Sequence, residues 1–88
     1  MNQLCLVGRL KEINQDGGYI VLKQTSNYKN TEGVYEEYTN KIMLFDNVLS
    51  NLVEYCKIND IVGVRGRIEN NTIKGEKITF LTSSKRED

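Results

Sequence analysis

Apolar residues alternate with polar ones along most of this chain, and the breaks in that alternation divide it into successive elements. Across residues 3–13, Leu4, Leu6 and Leu10 fall on one side and Gln3, Arg9 and Lys11 on the other. That is the period of two that a strand with one buried face requires. Gly8 takes an inward position, where a missing side chain lets a strand coil sharply or lets another backbone approach, as at the bends of small barrels. Asn14, Gln15, Asp16, Gly17 and Gly18 then supply turn residues that tolerate positive φ, and they predict a hairpin. The second strand, residues 19–28, turns Ile20 and Leu22 inward and Tyr19, Val21, Lys23 and Thr25 outward. Residues 27–38 are polar, contain Gly33 and lack regular apolar spacing, so they read as a long excursion carrying Tyr28, Tyr35 and Tyr38. The third strand, residues 37–46, buries Ile42 and Leu44 and presents Thr39, Lys41, Met43 and Phe45 on its other face.

The period then changes. Leu49, Leu52, Val53 and Cys56 stand at i, i+3, i+4 and i+7, which predicts a short helix capped by Asp46 or Asn47. Residues 57–60 turn the chain into a fourth strand, 60–69, in which Val62, Val64 and Ile68 alternate with Arg65 and Arg67. Asn70 and Asn71 start a tight turn, and Lys74-Gly75 leads into a last strand with Ile78 and Phe80 inward beside Lys77, Thr79 and Leu81. Tyr55 and Phe80 are assigned to the core, and the tail 83–88 reads as frayed. Three strands, a helix and two strands in so short a chain predict an all-β fold. The helix best plugs one end of a partly closed, five-stranded Greek-key barrel, the OB-fold. The expected organisation is one OB-fold domain over residues 1–83 with a tail at 84–88, because 88 residues leave no room for a second domain.

Composition narrows the chemistry. Twelve Lys or Arg balance twelve Asp or Glu, so a polyanion must be held by a local arrangement of charge. The chain has no His, which removes the commonest general base, the usual zinc ligand and the activator of Ser or Cys nucleophiles. No enzymatic activity, catalytic residue, cofactor or metal is expected. Glu36, Glu37 and Asp46 read as scattered loop acids rather than a metal cluster, and Gly17-Gly18 lacks the lysine and following helix of a phosphate loop. Two Cys make no disulfide framework, and no signal peptide or membrane-spanning run is present, which predicts a reduced, cytoplasmic protein. Cys56 falls on the apolar side of the helix as a core residue. Cys5 has outward parity, as a bland small residue or a reactive thiol.

The candidate site lies on the outward parity. Arg9, Lys11, Lys23, Lys41, Arg65, Arg67 and Lys77 all take outward odd positions at least two residues from a strand end, and no Asp or Glu does so. A neutral chain can thus carry a basic face, although Lys and Arg also simply solvate exposed strands. Phe45 shares that parity with Lys41 and Met43. An exposed Phe among cations suits stacked bases of single-stranded nucleic acid, or else packs under the helix or at a subunit contact. Tyr35 and Tyr38 either reach over the same surface or anchor the loop.

Several segments carry a resemblance. Asn2-Gln3-Leu4-Cys5-Leu6-Val7-Gly8-Arg9-Leu10, Lys41-Ile42-Met43-Leu44-Phe45, the helix end Glu54-Tyr55, and Gly63-Val64-Arg65-Gly66-Arg67-Ile68 resemble, in order and spacing, the bacterial single-stranded DNA-binding proteins. The resemblance implies an OB-fold that binds single-stranded DNA without sequence preference, as a homo-oligomer, in DNA replication, recombination or repair. It places Tyr28 where the family commonly has a stacking Trp, Phe45 on its stacking Phe, and Lys41 on a neighbouring basic position. Thr39 stands where another Trp is typical, and the chain has no Trp, which implies weaker stacking. The short loop 70–75 and the lack of an acidic, Phe-ended tip point to a shortened relative, similar to the primosomal replication protein or to a phage or mobile-element version.

The expected nucleic-acid-binding set is therefore Arg9, Lys23, Tyr28, Tyr35, Tyr38, Lys41, Phe45, Arg65 and Arg67. Gln3, Cys5 and Val7, uncharged on the outward face of the first strand, are the expected oligomer interface, for a homodimer at least or a tetramer. Replication proteins are further candidate partners, and no membrane association is expected. The alternative is an OB-fold assembly module of a replication or conjugation complex, with Phe45 and Tyr28 covered by a partner chain. RNA binding ranks below both.

Overall fold

The computed structural model describes residues 3–81, together with the backbone but not the side chains of residues 26–28. The expected tail 83–88 and the side chain of Tyr28 lie outside that range. Five strands and one helix follow in order: β1 (Gln3–Asn14), β2 (Tyr19–Lys29), β3 (Tyr35–Leu44), α1 (Asp46–Tyr55), β4 (Ile61–Glu69) and β5 (Thr72–Phe80). They close into a barrel in the order β1-β2-β3-β5-β4, antiparallel except for the β3–β5 seam. This is the five-stranded OB-fold barrel, with its helix between the third and fourth strands.

The inward alternation is borne out except at Ile68, which is 45% exposed because it lies beside the β4–β5 turn, past the end of the core. Leu10, Ile20, Leu22, Ile42, Leu44, Val62 and Val64 form the core, and α1 and its C-cap add Leu49, Leu52 and Cys56. Burying each such side chain contributes roughly 1.5–3 kcal/mol, so the barrel is held chiefly by this cluster. Asn70 and Asn71, with φ of 51° and 63°, form the two-residue hairpin turn that pairs Glu69 with Thr72.

Five further expectations need correction. First, the excursion expected over 27–38 is mostly strand: β2 continues to Lys29, β3 starts at Tyr35, and only 30–34 is loop. The Asn30 side chain accepts hydrogen bonds from the N–H groups of Glu32 and Val34, at 2.9 and 3.1 Å, and shapes a compact tip. The apolar rhythm fails there because this ribbon runs beyond the barrel and has no core to face. Second, β1 carries a bulge at Lys11, between the Leu10–Leu22 and Glu12–Val21 pairs. Inward parity therefore passes from even to odd, and Ile13 pairs with Ile20. Third, β3 ends at Leu44, and Phe45, with extended backbone, is the N-cap residue of α1. Asp46 is instead the first helical residue, where its carboxylate complements the helix dipole. Fourth, Tyr55 is not core: it is 46% exposed and rests its ring against that of Phe80, with centroids 5.6 Å apart. Fifth, β5 starts at Thr72, so Lys74 belongs to a strand rather than a turn.

Candidate nucleic-acid interface

The outward cations divide around the barrel. In the closed order β3 stands across from the β1–β4 pair, so residues pointing out of β3 and out of β1 or β4 face opposite sides. On one side, Tyr19 of β2, Met43 of β3 and Lys74 of β5 lie in a row, and Val21 pairs with Lys41 beside them. On the other, β1, β4 and β5 line up three rows: Cys5, Arg65 and Lys77; Val7, Gly63 and Thr79; Arg9, Ile61 and Leu81. Gln3 pairs with Arg67 one row beyond, so the expected interface residues Gln3, Cys5 and Val7 all border the second side.

The first side is concave. Met43, Leu44, Phe45, Thr72, Lys74 and Gly75 line a hollow of about 390 Å³, and Lys41, Met43, Asn71, Thr72 and Ile73 line an adjoining one of about 250 Å³. Met43 and Thr72 belong to both, so the two form one trough over the barrel seam. The two-residue turn at Asn70 and Asn71 folds β5 back to supply one wall, and the β3–α1 junction holds Phe45 at the end of the other. Phe45 is 56% exposed although its carbonyl accepts the first helical hydrogen bond, from Leu49 at 2.9 Å. Its ring is thus fixed at the root and open at the tip. Lys41 stands at one end of the trough and Lys74 on its β5 wall, beside Met43.

The charges are more compensated than parity alone suggests. Lys23 pairs with Glu37 at 2.9 Å, Arg67 with Glu69 and Glu76 at 3.3 and 3.4 Å, and Lys74 with Glu69 at 3.2 Å. Glu36 and Glu37, expected as loop acids, lie within β3, because the ribbon strands run further than apolar spacing shows, and Glu12 and Glu76 lie within β1 and β5. Arg9 Nη1 donates to the Asn59 carbonyl at 3.0 Å. Lys41, Arg65 and Lys77 make no ion pair among the described residues.

Of the expected binding residues, the structure brings Lys41 and Phe45 to the trough. Lys23 lies further along β2, paired with Thr39 of β3, and Tyr35 stands on the β2–β3 ribbon with Lys29 5.7 Å from its ring centre. Tyr38 shares the parity of Ile42 and so points to the opposite face of the ribbon from Lys41. Arg9, Arg65 and Arg67 lie on β1 and β4. Lys74, Thr72 and Tyr19 carried no site role in the sequence reading. The two-residue turn was the available signal for Lys74, since counting back from it pairs Lys74 with Arg67.

A scan of the sequence against protein-family models gives no match, and a search of curated protein sequences gives none either. Solved structures do match. The mitochondrial single-stranded DNA-binding protein Rim1 of S. cerevisiae is 19% identical with a TM-score of 0.68, over 96% of this chain and 97% of that one. The Plasmodium falciparum SSB, in complex with ssDNA, is 16% identical with a TM-score of 0.65, over 93% and 96% of the two chains. The small single-stranded DNA-binding protein from Streptomyces coelicolor is 16% identical with a TM-score of 0.51, over 91% and 95%. The likeness establishes the fold, which this chain shares with them nearly end to end. Its resemblance to single-stranded DNA-binding proteins is thus one of architecture as well as of strand motifs.

Proposed function

We propose that this protein binds single-stranded DNA without sequence preference, through the trough over the β3–β5 seam. The observation that carries the reading is the trough itself: two adjoining hollows that share Met43 and Thr72, an open Phe45 ring at one end, Lys41 at the other and Lys74 on the wall between them. Exposed aromatic rings stack on bases of any kind, each base contributing roughly 1–3 kcal/mol, while the lysines neutralise phosphates. A duplex hides its base faces and gains nothing from such a ring. Tyr35, with Lys29 beside it, and Lys23 extend the same side along the ribbon. Tyr28 is the further stacking position that the resemblance implies, while Arg9, Arg65 and Arg67 lie across the barrel and would meet a strand only where it wraps round to the β1–β4 side. The protein acts in DNA replication, recombination or repair in the cytoplasm, as a non-enzymatic homo-oligomer whose copies meet at the β1 face bearing Gln3, Cys5 and Val7.

The test is a titration of labelled oligo-dT against a duplex of equal length at two salt concentrations. Tighter binding to the single strand, weakening as salt rises, is expected. Equal affinity for both, or no binding, would overturn the reading in favour of an OB-fold assembly module, which the acid-paired state of Lys23, Arg67 and Lys74 also suits.

A further inference from the structure

The two lysines of the trough differ in their surroundings. Lys41 makes no ion pair among the described residues, whereas the Lys74 ammonium stands 3.2 Å from Glu69 Oε1. β5 holds Lys74 between Met43 of β3, on the trough side, and Arg67 of β4, its antiparallel partner. From the last position of β4, Glu69 also sets Oε2 3.3 Å from Arg67 Nε, so one carboxylate bridges two cations on different strands. The same Arg67 nitrogen lies 3.4 Å from Glu76 Oε2. Glu76 is the bulged residue of β5, the one passed over between the Arg65–Lys77 and Gly66–Gly75 pairs. Within this set two cations and two acids cancel.

The set can let one member go. Its side chains are 37 to 50% exposed, and ion pairs so open to water are weak. A phosphate brought to the Lys74 ammonium meets the Glu69 carboxylate at close range, and the two anions repel unless one moves aside. When Lys74 turns to the phosphate, Glu69 still holds Arg67 and no acid is left alone. Removing Arg67 would have the opposite result, because it is the cation that both carboxylates share. Arg67 is thus the anchor of the set, and Lys74, on its flexible stem, is the member free to leave.

We propose that Glu69 is a built-in competitor of DNA phosphate for Lys74, so that the trough has one permanent cation, Lys41, and one conditional cation, Lys74. The inference rests on the reading that single-stranded DNA lies in the trough. A strand that covers the β5 wall must break the Glu69–Lys74 pair, and a departing strand returns Lys74 to a carboxylate already in place. Glu69 thereby lowers affinity and speeds release, without taking any part of the apolar floor.

Titration of the full chain with labelled oligo-dT, counted per folded molecule, tests this in four variants: Glu69→Gln, Glu76→Gln, Lys74→Met and Glu69→Gln combined with Lys74→Met. Glu69→Gln keeps the shape of the side chain and is expected to tighten binding about two- to fivefold at low salt, the worth of one exposed pair. The gain lies chiefly in slower dissociation and fades as salt screens the charges. Lys74→Met is expected to weaken binding and to abolish that gain, and Glu76→Gln, whose acid meets Arg67 and not Lys74, gives a smaller one. Should Glu69→Gln lower the thermal midpoint, Glu69→Thr, a residue suited to strands, takes its place. An unchanged affinity in Glu69→Gln, an equal gain in Glu76→Gln, or a gain that persists beside Lys74→Met overturns the competition. The trough reading survives any of these as long as the wild type binds and Phe45→Ala weakens it. A wild type that does not bind oligo-dT overturns both.

Discussion

Lys41 holds its ammonium 4.3 Å from the centre of the Tyr19 ring, across the strand pair formed by β2 and β3. The ring is itself anchored: its hydroxyl donates to Glu12 at 3.1 Å and accepts from Asn14 at 3.0 Å. A lysine on a flexible stem is thereby parked at one end of the trough, with N–H groups left over for an anion. Tyr19→Leu removes the ring, and a cation–π contact at an exposed site is worth about 0.5–1 kcal/mol. Single-strand affinity is expected to fall by about that much, while Tyr19→Phe keeps it. Lys41→Met is expected to lower the salt slope by about 0.7, the counterions released per single-strand contact. Binding isotherms at a series of salt concentrations read both, and an unchanged slope for Lys41→Met would remove Lys41 from the interface.

Phe45→Ala separates binding from folding. The ring is more than half exposed and outside the core cluster, while its backbone carbonyl, which starts α1, is kept by alanine. Affinity for oligo-dT is expected to drop by roughly 1–3 kcal/mol with little change in the thermal midpoint. A large loss of stability with binding per folded molecule unchanged would make Phe45 a packing residue.

Gly66 tests the opposite case. It sits beside the β4–β5 bulge, and a Cβ there would fall inside the van der Waals shell of the Lys74 carbonyl oxygen. Backbone, unlike a side-chain tip, cannot swing away. Gly66→Ala is expected to cost about 1–3 kcal/mol of stability by denaturant unfolding, as overpacked sites do. Gly33→Ala meets nothing within 4 Å, but its φ of +81° strains a side chain locally at the ribbon tip.

The Tyr38 hydroxyl is held above the ordinary tyrosine range, first by its hydrogen bond to the Glu36 carboxylate and then by that negative charge. The folded value is raised, so the contribution of this contact is complete below the unfolded tyrosine value and is lost as pH climbs through the folded one. Followed by ultraviolet absorbance, the ionisation of Tyr38 is expected to move to lower pH in Glu36→Gln. A Glu36→Gln titration that superimposes on the wild type would remove this contact.

The core was legible because it alternates: Leu10, Ile20, Leu22, Ile42, Val62 and Val64 each stand where parity puts them. The helix was legible from the i, i+3, i+4, i+7 spacing of Leu49, Leu52, Val53 and Cys56. Where nothing forces burial, the signal fails. The ribbon strands around Lys29 and Tyr35 face water on both sides, so no apolar rhythm marks them. The bulge at Lys11 sits in the polar Lys11-Glu12 pair and moves the parity without leaving a trace in hydrophobicity. Parity also cannot supply register, which is why Lys23 and Arg67 read as unpaired cations although Glu37 and Glu76 lie within reach. Of the site, Lys41 and Phe45 were visible along a single strand. The trough that joins them to Lys74 needs β5 folded back against β3, a relationship between distant parts of the chain.

The β3–β5 seam joins the strands by only the Ile42–Ile73, Met43–Lys74 and Leu44–Gly75 pairs, the shortest junction in the barrel. Those strands are separated in sequence by α1 and β4, so this closure spans one of the longest loops in the fold and belongs among its late-forming contacts. The trough lies directly over it. Whatever settles between Phe45 and Lys41 touches both margins of the seam at once and acts as a clasp on it. Occupancy therefore favours the closed form by mass action, and amide hydrogens along Ile42–Leu44 and Ile73–Gly75 become reporters of ligand as much as of folding.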